Sequence, residues 1–224
     1  MNDTCGCEVI AIDGGAAAGK SSTARALAEQ LNFMHVDTGA HYRTLTAALL
    51  QLGAAPKQTA EITAHLKHLN LGTELCGQSA LLSINNKTPS DKSIRSAKVN
   101  ASVSLFAALP DIRKFLFDYQ RGQLLVAEKY GYKGVIMEGR DIGTTIFPDA
   151  KFRFFLEADA STRAARRSKQ GANDSITNRD TLDRTRKTAP LICAEGAIRI
   201  DTSKISLKDV IERILTIINV KQDD

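Results

Sequence analysis

A chain of 224 residues that is 43% hydrophobic and 25% charged has room for one core of ordinary size and an inserted subdomain. No apolar run approaches the roughly 20 residues that span a bilayer, and the start, MNDTCGCEV, lacks the basic and apolar regions of an export signal, so a cytoplasmic protein is expected. The net charge of +5, from 30 Lys and Arg, admits nucleic acid, but with no Trp, 5% aromatics and no basic tail a small polyanion fits as well.

Residues 9–12 form a short β-branched run that reads as a buried strand, and residues 20–31 form a helix. Between them, Gly14, Gly19, Lys20 and Ser21 satisfy G-x-x-x-x-G-K-[ST] in the strand–loop–helix context that this motif requires. The run Gly14-Gly15-Ala16-Ala17-Ala18-Gly19-Lys20-Ser21-Ser22 is therefore a candidate nucleoside triphosphate site. Backbone N–H groups and the helix dipole would cradle phosphate there. Lys20 would reach the β and γ phosphates, and the Ser21 hydroxyl would ligate Mg²⁺.

A second strand over residues 32–36 ends at Asp37-Thr38-Gly39, and a helix follows over 40–52, stopped by Gly53 and Pro56. From 57 to 93 the pattern changes. A helical piece (61–69) and two short antiparallel strands (71–75 and 80–84) suggest a small inserted lobe. Helices are expected over 95–108 and from Pro110 to about residue 130. A buried strand (135–137) ends at Glu138-Gly139-Arg140-Asp141. Another strand follows at 152–156, then a helix capped by Ser161 and running to 169. Residues 171–188 are polar and rich in Arg and Asp; a strand (197–200) and a helix (207–218) finish the chain. Strands alternating with helices argue an α/β fold with a parallel sheet covered on both faces.

The four cysteines, Cys5, Cys7, Cys76 and Cys193, lack metal-ligand spacing and are read as reduced. His65 and His68 share a helical face without a third ligand and are read as solvent-exposed. Ligands of open parallel sheets lie beyond the carboxyl ends of the strands. Those ends here carry Asp13, then Asp37-Thr38-Gly39 with Arg43, then Glu138-Gly139-Arg140-Asp141. Arg163, Arg166, Arg167, Arg179, Arg184 and Arg186 crowd the later polar segment, enough cations for two clustered anions.

The blocks DTGAHYR (37–43), EGRDIGTTIFPDA (138–150) and RDTLDRTRKTAPL (179–191) resemble those of bacterial cytidylate kinases. So do the phosphate loop, VNASVSLFAALPDIR (99–113) and AIRIDTSKISLKDVI (197–211), so the resemblance spans nearly the whole chain. It implies the P-loop nucleoside monophosphate kinase fold: a five-stranded parallel sheet flanked by helices, an acceptor-binding insert and a lid. The whole would be a single domain, with its core at about 1–56 and 94–224, the acceptor-side lobe at about 57–93 and a short lid at about 168–188.

The resemblance also implies Mg²⁺-dependent transfer from ATP to CMP, and to dCMP, by a protein expected to be monomeric and to bind no nucleic acid. It assigns cytosine recognition to Ser104, Arg113 and Asp141. The acceptor phosphate falls to Arg43, Arg140 and Arg186, with Thr38 beside it, and the ribose to Arg179 and Asp183. Lys20, Arg140, Arg163 and Arg167 would neutralise the transferring group. Asp13, Asp37 and Glu138 remain open as residues that order the waters of Mg²⁺. Gly15 stands where the family often has proline, and His41 where it has an apolar residue. The stretch after Arg167, with Gly171, Asn173 and Asp174, is short and poor in helix formers, so a small lid is expected. A kinase for another acceptor such as UMP is the nearest alternative; a GTPase switch is disfavoured, because no D-x-x-G follows the phosphate loop and no N-K-x-D occurs.

Overall fold

The computed structural model describes residues 7–169 and 176–223. β1 (Glu8–Gly14) leads into α1 (Lys20–Leu31), β2 (Met34–Asp37) into α2 (Thr38–Gln51), and α3 (Ala60–Leu66) into a hairpin of β3 (Leu71–Cys76) and β4 (Ser79–Ile84). Four helices follow: α4 (Asp91–Ile94), α5 (Ala97–Ala107), α6 (Pro110–Arg121) and α7 (Gln123–Lys129). β5 (Gly134–Gly139) then runs into a π-helical turn (Ile142–Ile146), and β6 (Phe152–Glu157) into α8 (Ala160–Lys169) and α9 (Ile176–Thr185). β7 (Ile198–Asp201) and α10 (Leu207–Asp223) end the chain.

The strands form one sheet in the order β3-β4-β2-β5-β1-β6-β7, parallel except for β3. The central strands read as continuous apolar runs because both faces are covered. Ile10, Ile12 and Ile136 pack with Leu27 of α1 and Ile211 and Ile214 of α10. Ala11, Val135 and Met137 point the other way, onto Ala127 of α7 and Ile142 and Ile146 of the π turn. A third apolar cluster joins Leu45 and Leu49 of α2, Ile62 and Leu66 of α3, Leu82 of β4 and Phe106 of α5.

Several expectations need correction. The sheet has seven strands and not five, because β4 lies parallel beside β2 with His35 opposite Ser79 and Val36 opposite Ala80. The hairpin thus extends the main sheet: β2 would otherwise expose an unpaired edge. The helix expected from Pro110 to residue 130 is two helices that meet at Gly122, the residue in that run least suited to a helix interior. Ser161 does not cap α8. Asp159 does, its Oδ1 accepting from the Thr162 N–H at 2.6 Å and from the Ser161 hydroxyl at 2.7 Å. Within the expected lid, residues 176–185 are helical despite their low propensity, and Asp180 and Asp183 are buried in tertiary ion pairs. Gly171, Asn173 and Asp174 lie outside the described residues. α4 and the π turn were not expected. The turn exists because the Asp13 carboxylate accepts from the N–H groups of Ile142 (2.8 Å) and Gly143 (2.7 Å).

Glycine is required where β1 ends. A Cβ on Gly14, whose φ is +150°, would lie 2.0 Å from the Leu156 carbonyl oxygen of β6. His41 is a different kind of constraint. It is buried on α2, edge-on to Tyr119 with ring centroids 5.2 Å apart, and neither ring nitrogen has a hydrogen-bond partner among the described residues. Burial pushes its pKa down from 6.5 to about 4. Between those values the unfolded chain binds a proton that the folded chain refuses, so stability falls as pH drops through that window and levels off below it. At 1.36 kcal/mol per pH unit the loss is about 3 kcal/mol. Urea unfolding at neutral pH and near pH 4.5 should show His41→Met losing markedly less stability on acidification than the parent chain; parallel losses would count against a buried neutral His41.

Candidate active site

The phosphate loop is held from outside by α8 and by the end of β7. The carbonyls of Ala16, Ala17 and Ala18 accept from Arg163 (3.3 Å), Arg166 (3.4 Å) and Thr202 Oγ1 (3.0 Å) in turn. Gly19, at φ +97°, opens α1, and the Lys20 ammonium donates to the Gly15 carbonyl at 2.7 Å. Ser22 is exposed on α1. Burial, and then the Arg140 charge, pull the Lys20 pKa down to about 7. A cation under that pressure gains from any anion placed beside it.

Next to the loop, Ser21 Oγ donates to Glu138 Oε2 at 2.8 Å. The other Glu138 oxygen is 3.0 Å from His35 Nε2, and His35 Nδ1 is 3.0 Å from Ser79 Oγ on the hairpin. Of the three acids left open by the sequence, Glu138 is the one that touches Ser21. Both Asp13 oxygens serve the π turn, and burial raises its pKa to about 6. Asp37 Oδ1 caps α2 through the Ala40 N–H at 3.0 Å, and its other oxygen is 3.7 Å from Arg95.

Across the strand ends, Asp141 bridges two arginines, Arg113 through Oδ2 and Arg186 through Oδ1 at 3.2 Å. The Arg113 guanidinium lies 5.4 Å from the centroid of the Tyr42 ring, whose pKa burial pushes up to about 12. Asp183 holds Arg140 at 3.0 Å and stands 3.9 Å from Arg186. Ser104 is buried on α5, and the buried Thr38 hydroxyl donates to the Glu138 carbonyl at 2.8 Å. Arg43 donates to Asn100 Oδ1 at 2.5 Å. Burial, then the charges of Arg179 and Arg95, pull the Arg43 pKa down to about 9, with Arg167 adding to the effect.

Arg113, Asp141, Arg186, Asp183 and Arg140 are thus joined by ion pairs beyond the end of β5, the neighbour of the strand that leads into the phosphate loop. Sequence reading missed Arg95, Asn100, His35, Asp180 and the loop-bracing role of Arg166. Asp180, beside Arg179, accepts from the Ala16 N–H at 2.9 Å and pairs with Arg163. Only its place inside the RDTLDRTR block could have drawn notice.

Asp141 is the counter-charge for two nearly buried guanidinium groups. Asp141→Asn keeps the shape and removes that charge, so it should cost about 3 kcal/mol of stability. A urea midpoint unchanged from that of the parent would show that Arg113 and Arg186 do not depend on it.

The model of the cytidylate kinase family matches residues 10–220. The cytidylate kinase of Oceanobacillus iheyensis is 38% identical over 217 residues, covering 92% of this chain and 91% of that protein. That of Geobacillus sp. (strain WCH70) is 38% identical, covering 94% and 96% of the two chains, and that of Desulfitobacterium hafniense is 38% identical, covering 95% and 93%. With this likeness running through the phosphate loop, the ends of β2 and β5 and helix α9, the chain belongs to the cytidylate kinase family.

Proposed function

We propose that this protein transfers the γ-phosphoryl group of ATP to CMP, and to dCMP, giving ADP and the nucleoside diphosphate. The observation that carries this reading is a phosphate loop leaving β1 beside β5, whose end presents an Asp141 carboxylate set between Arg113 and Arg186. Cytosine offers a 4-amino donor with N3 and O2 acceptors, so it asks for a carboxylate at one edge and donors at the other. Asp141, Arg113 and Ser104, buried on α5, would supply that set. Uracil carries a carbonyl in place of the amine and would turn a lone pair toward the carboxylate. Such a mispairing costs about 1–3 kcal/mol, and more for a charged group.

Arg43, Arg140 and Arg186 bind the acceptor phosphate near Thr38, and Arg179 and Asp183 bind the ribose. The lowered pKa of Arg43 supports this: a guanidinium under repulsion from its neighbours is relieved by a phosphate. The attacking oxygen is already ionised, so no general base is needed, and catalysis consists of positioning and charge neutralisation. Lys20, Arg140, Arg163 and Arg167 do the neutralising. The Ser21 hydroxyl and the Glu138 carboxylate, 2.8 Å apart at the start of α1, are hard oxygen donors that suit Mg²⁺. Ser21 would hold the ion, with Glu138 beside it, and the ion would supply charge screening on the donor phosphates.

With this function goes the reading of one kinase domain, with residues 57–93 as its acceptor side and a lid at about 168–188. A monomer that binds small nucleotides and no nucleic acid, working in the cytoplasm where both nucleotide pools are found, completes it.

ADP release measured across the common monophosphates tests the acceptor. CMP should exceed AMP and GMP at least about tenfold in kcat/KM, which is about 1.4 kcal/mol, and should exceed UMP too. Equal use of AMP and CMP would sink the assignment. Lys20→Ala should lower kcat by orders of magnitude while calorimetry finds CMP affinity nearly intact, and the reverse pattern would mean that the two subsites are exchanged.

A further inference from the structure

One carboxylate in the cleft has no task in the transfer described above. Asp180 is 7% exposed, with Oδ1 2.9 Å from the Ala16 N–H and Oδ2 against the Arg163 guanidinium. A backbone N–H of the phosphate loop and an adjoining cation are the partners that a donor phosphate oxygen would use. The pair packs over Gly15, where a Cβ would lie 3.0 Å from Asp180 Oδ2 and 3.2 Å from Arg163 Nη1. The missing side chain at residue 15 is what lets a carboxylate approach the loop so closely.

We propose that Asp180 is an internal competitor of the donor's terminal phosphate, one that ATP displaces from Ala16 and Arg163 as it binds. This inference rests on the reading of the loop as the donor site. One N–H supports one strong hydrogen bond, so the Ala16 N–H cannot serve the carboxylate and a phosphate at once. Nor can a carboxylate and a phosphate share a buried site without strong repulsion. Displacement therefore frees Arg163 for the transferring group at the moment when that group arrives.

It also reaches the acceptor side. Asp183 lies one turn further along α9 and holds Arg140, while Arg186 follows the helix and holds Asp141. Moving Asp180 off the loop shifts the helix on which those contacts depend. Donor and acceptor affinities are then coupled, and the coupling is reciprocal.

Calorimetry without acceptor tests the proposal, with ATP, inorganic tripolyphosphate and adenosine as probes. Asp180→Asn should bind ATP and tripolyphosphate about tenfold more tightly than the parent, within the range of ordinary coupling between sites, with adenosine unchanged. Unchanged or weaker tripolyphosphate binding, or an equal gain for adenosine, would overturn it. Failure of the parent itself to bind ATP would instead overturn the donor-site reading. A second measurement leaves Asp180 in place. The chain has no Trp, and Leu182 is 42% exposed on α9, so Leu182→Trp gives a single reporter. Its emission should shift when tripolyphosphate is added, and a spectrum that does not move would refute displacement even if Asp180→Asn failed to fold.

Discussion

Lys20, Arg43 and Arg113 are buried, each with like charges near enough to act on it (Arg140 on Lys20, Arg179 and Arg95 on Arg43, Arg186 on Arg113), and taking so many like charges out of water is costly. The protein offsets part of that cost itself. Asp141 serves two arginines, Asp183 serves Arg140, and Asn100 gives Arg43 a neutral acceptor. The compensation is incomplete, as the depressed pKa values of Lys20 and Arg43 record. What is lacking is negative charge, and two phosphate-bearing nucleotides bring it. Removing one carboxylate from such an array hurts more than adding it helps, since the arginines it leaves behind stay buried.

The two halves of the cleft are tied through the backbone. β1 and β5 are neighbours, with Asp13 opposite Gly139, so the phosphate loop and the Glu138–Asp141 segment leave the sheet side by side. The Asp13 carboxylate then fixes the N–H groups of Ile142 and Gly143, setting the turn that presents Arg140 and Asp141. Gly139 permits the crossing: a Cβ there would lie 2.5 Å from Thr38 Oγ1 and 2.7 Å from Ile142 Cδ1. Glu138 links Ser21 to His35 and, through it, to Ser79 on the hairpin. The phosphate loop, the end of β5 and the edge hairpin therefore share one short chain of buried polar contacts, and a shift in one is felt by the others.

What could be read beforehand was local. The phosphate loop and the bounds of α1 follow from a contiguous motif, and the central strands from apolar runs that only two-sided burial explains. The residues proposed for the acceptor come only from the resemblance of several ordered blocks to one family; nothing in the spacing of Arg113 and Asp141 reveals that they touch. Long-range partners stayed hidden for the same reason. Asp180 meets Ala16 across 164 residues, and Glu138 meets His35 across 103. The place of the hairpin was hidden too: alternation in β3 and β4 shows two strands but not that β2 offers an open edge beside them.

α9 shows most plainly where pattern reading fails. Among its described side chains, residues 178–185, only Asp180 and Asp183 are buried, while Leu182 is exposed. Judged by hydrophobic periodicity this is no core-facing helix, and judged by propensity it is barely a helix. It docks because two acids at i and i+3 face in the same direction and meet Arg163 and Arg140. Held by ion pairs and not by apolar area, the helix sits in a contact that competing anions can exchange. An apolar seam would resist a triphosphate; an ionic one offers it the same cations. The feature that hid α9 from the sequence is therefore the one that lets it respond to nucleotide.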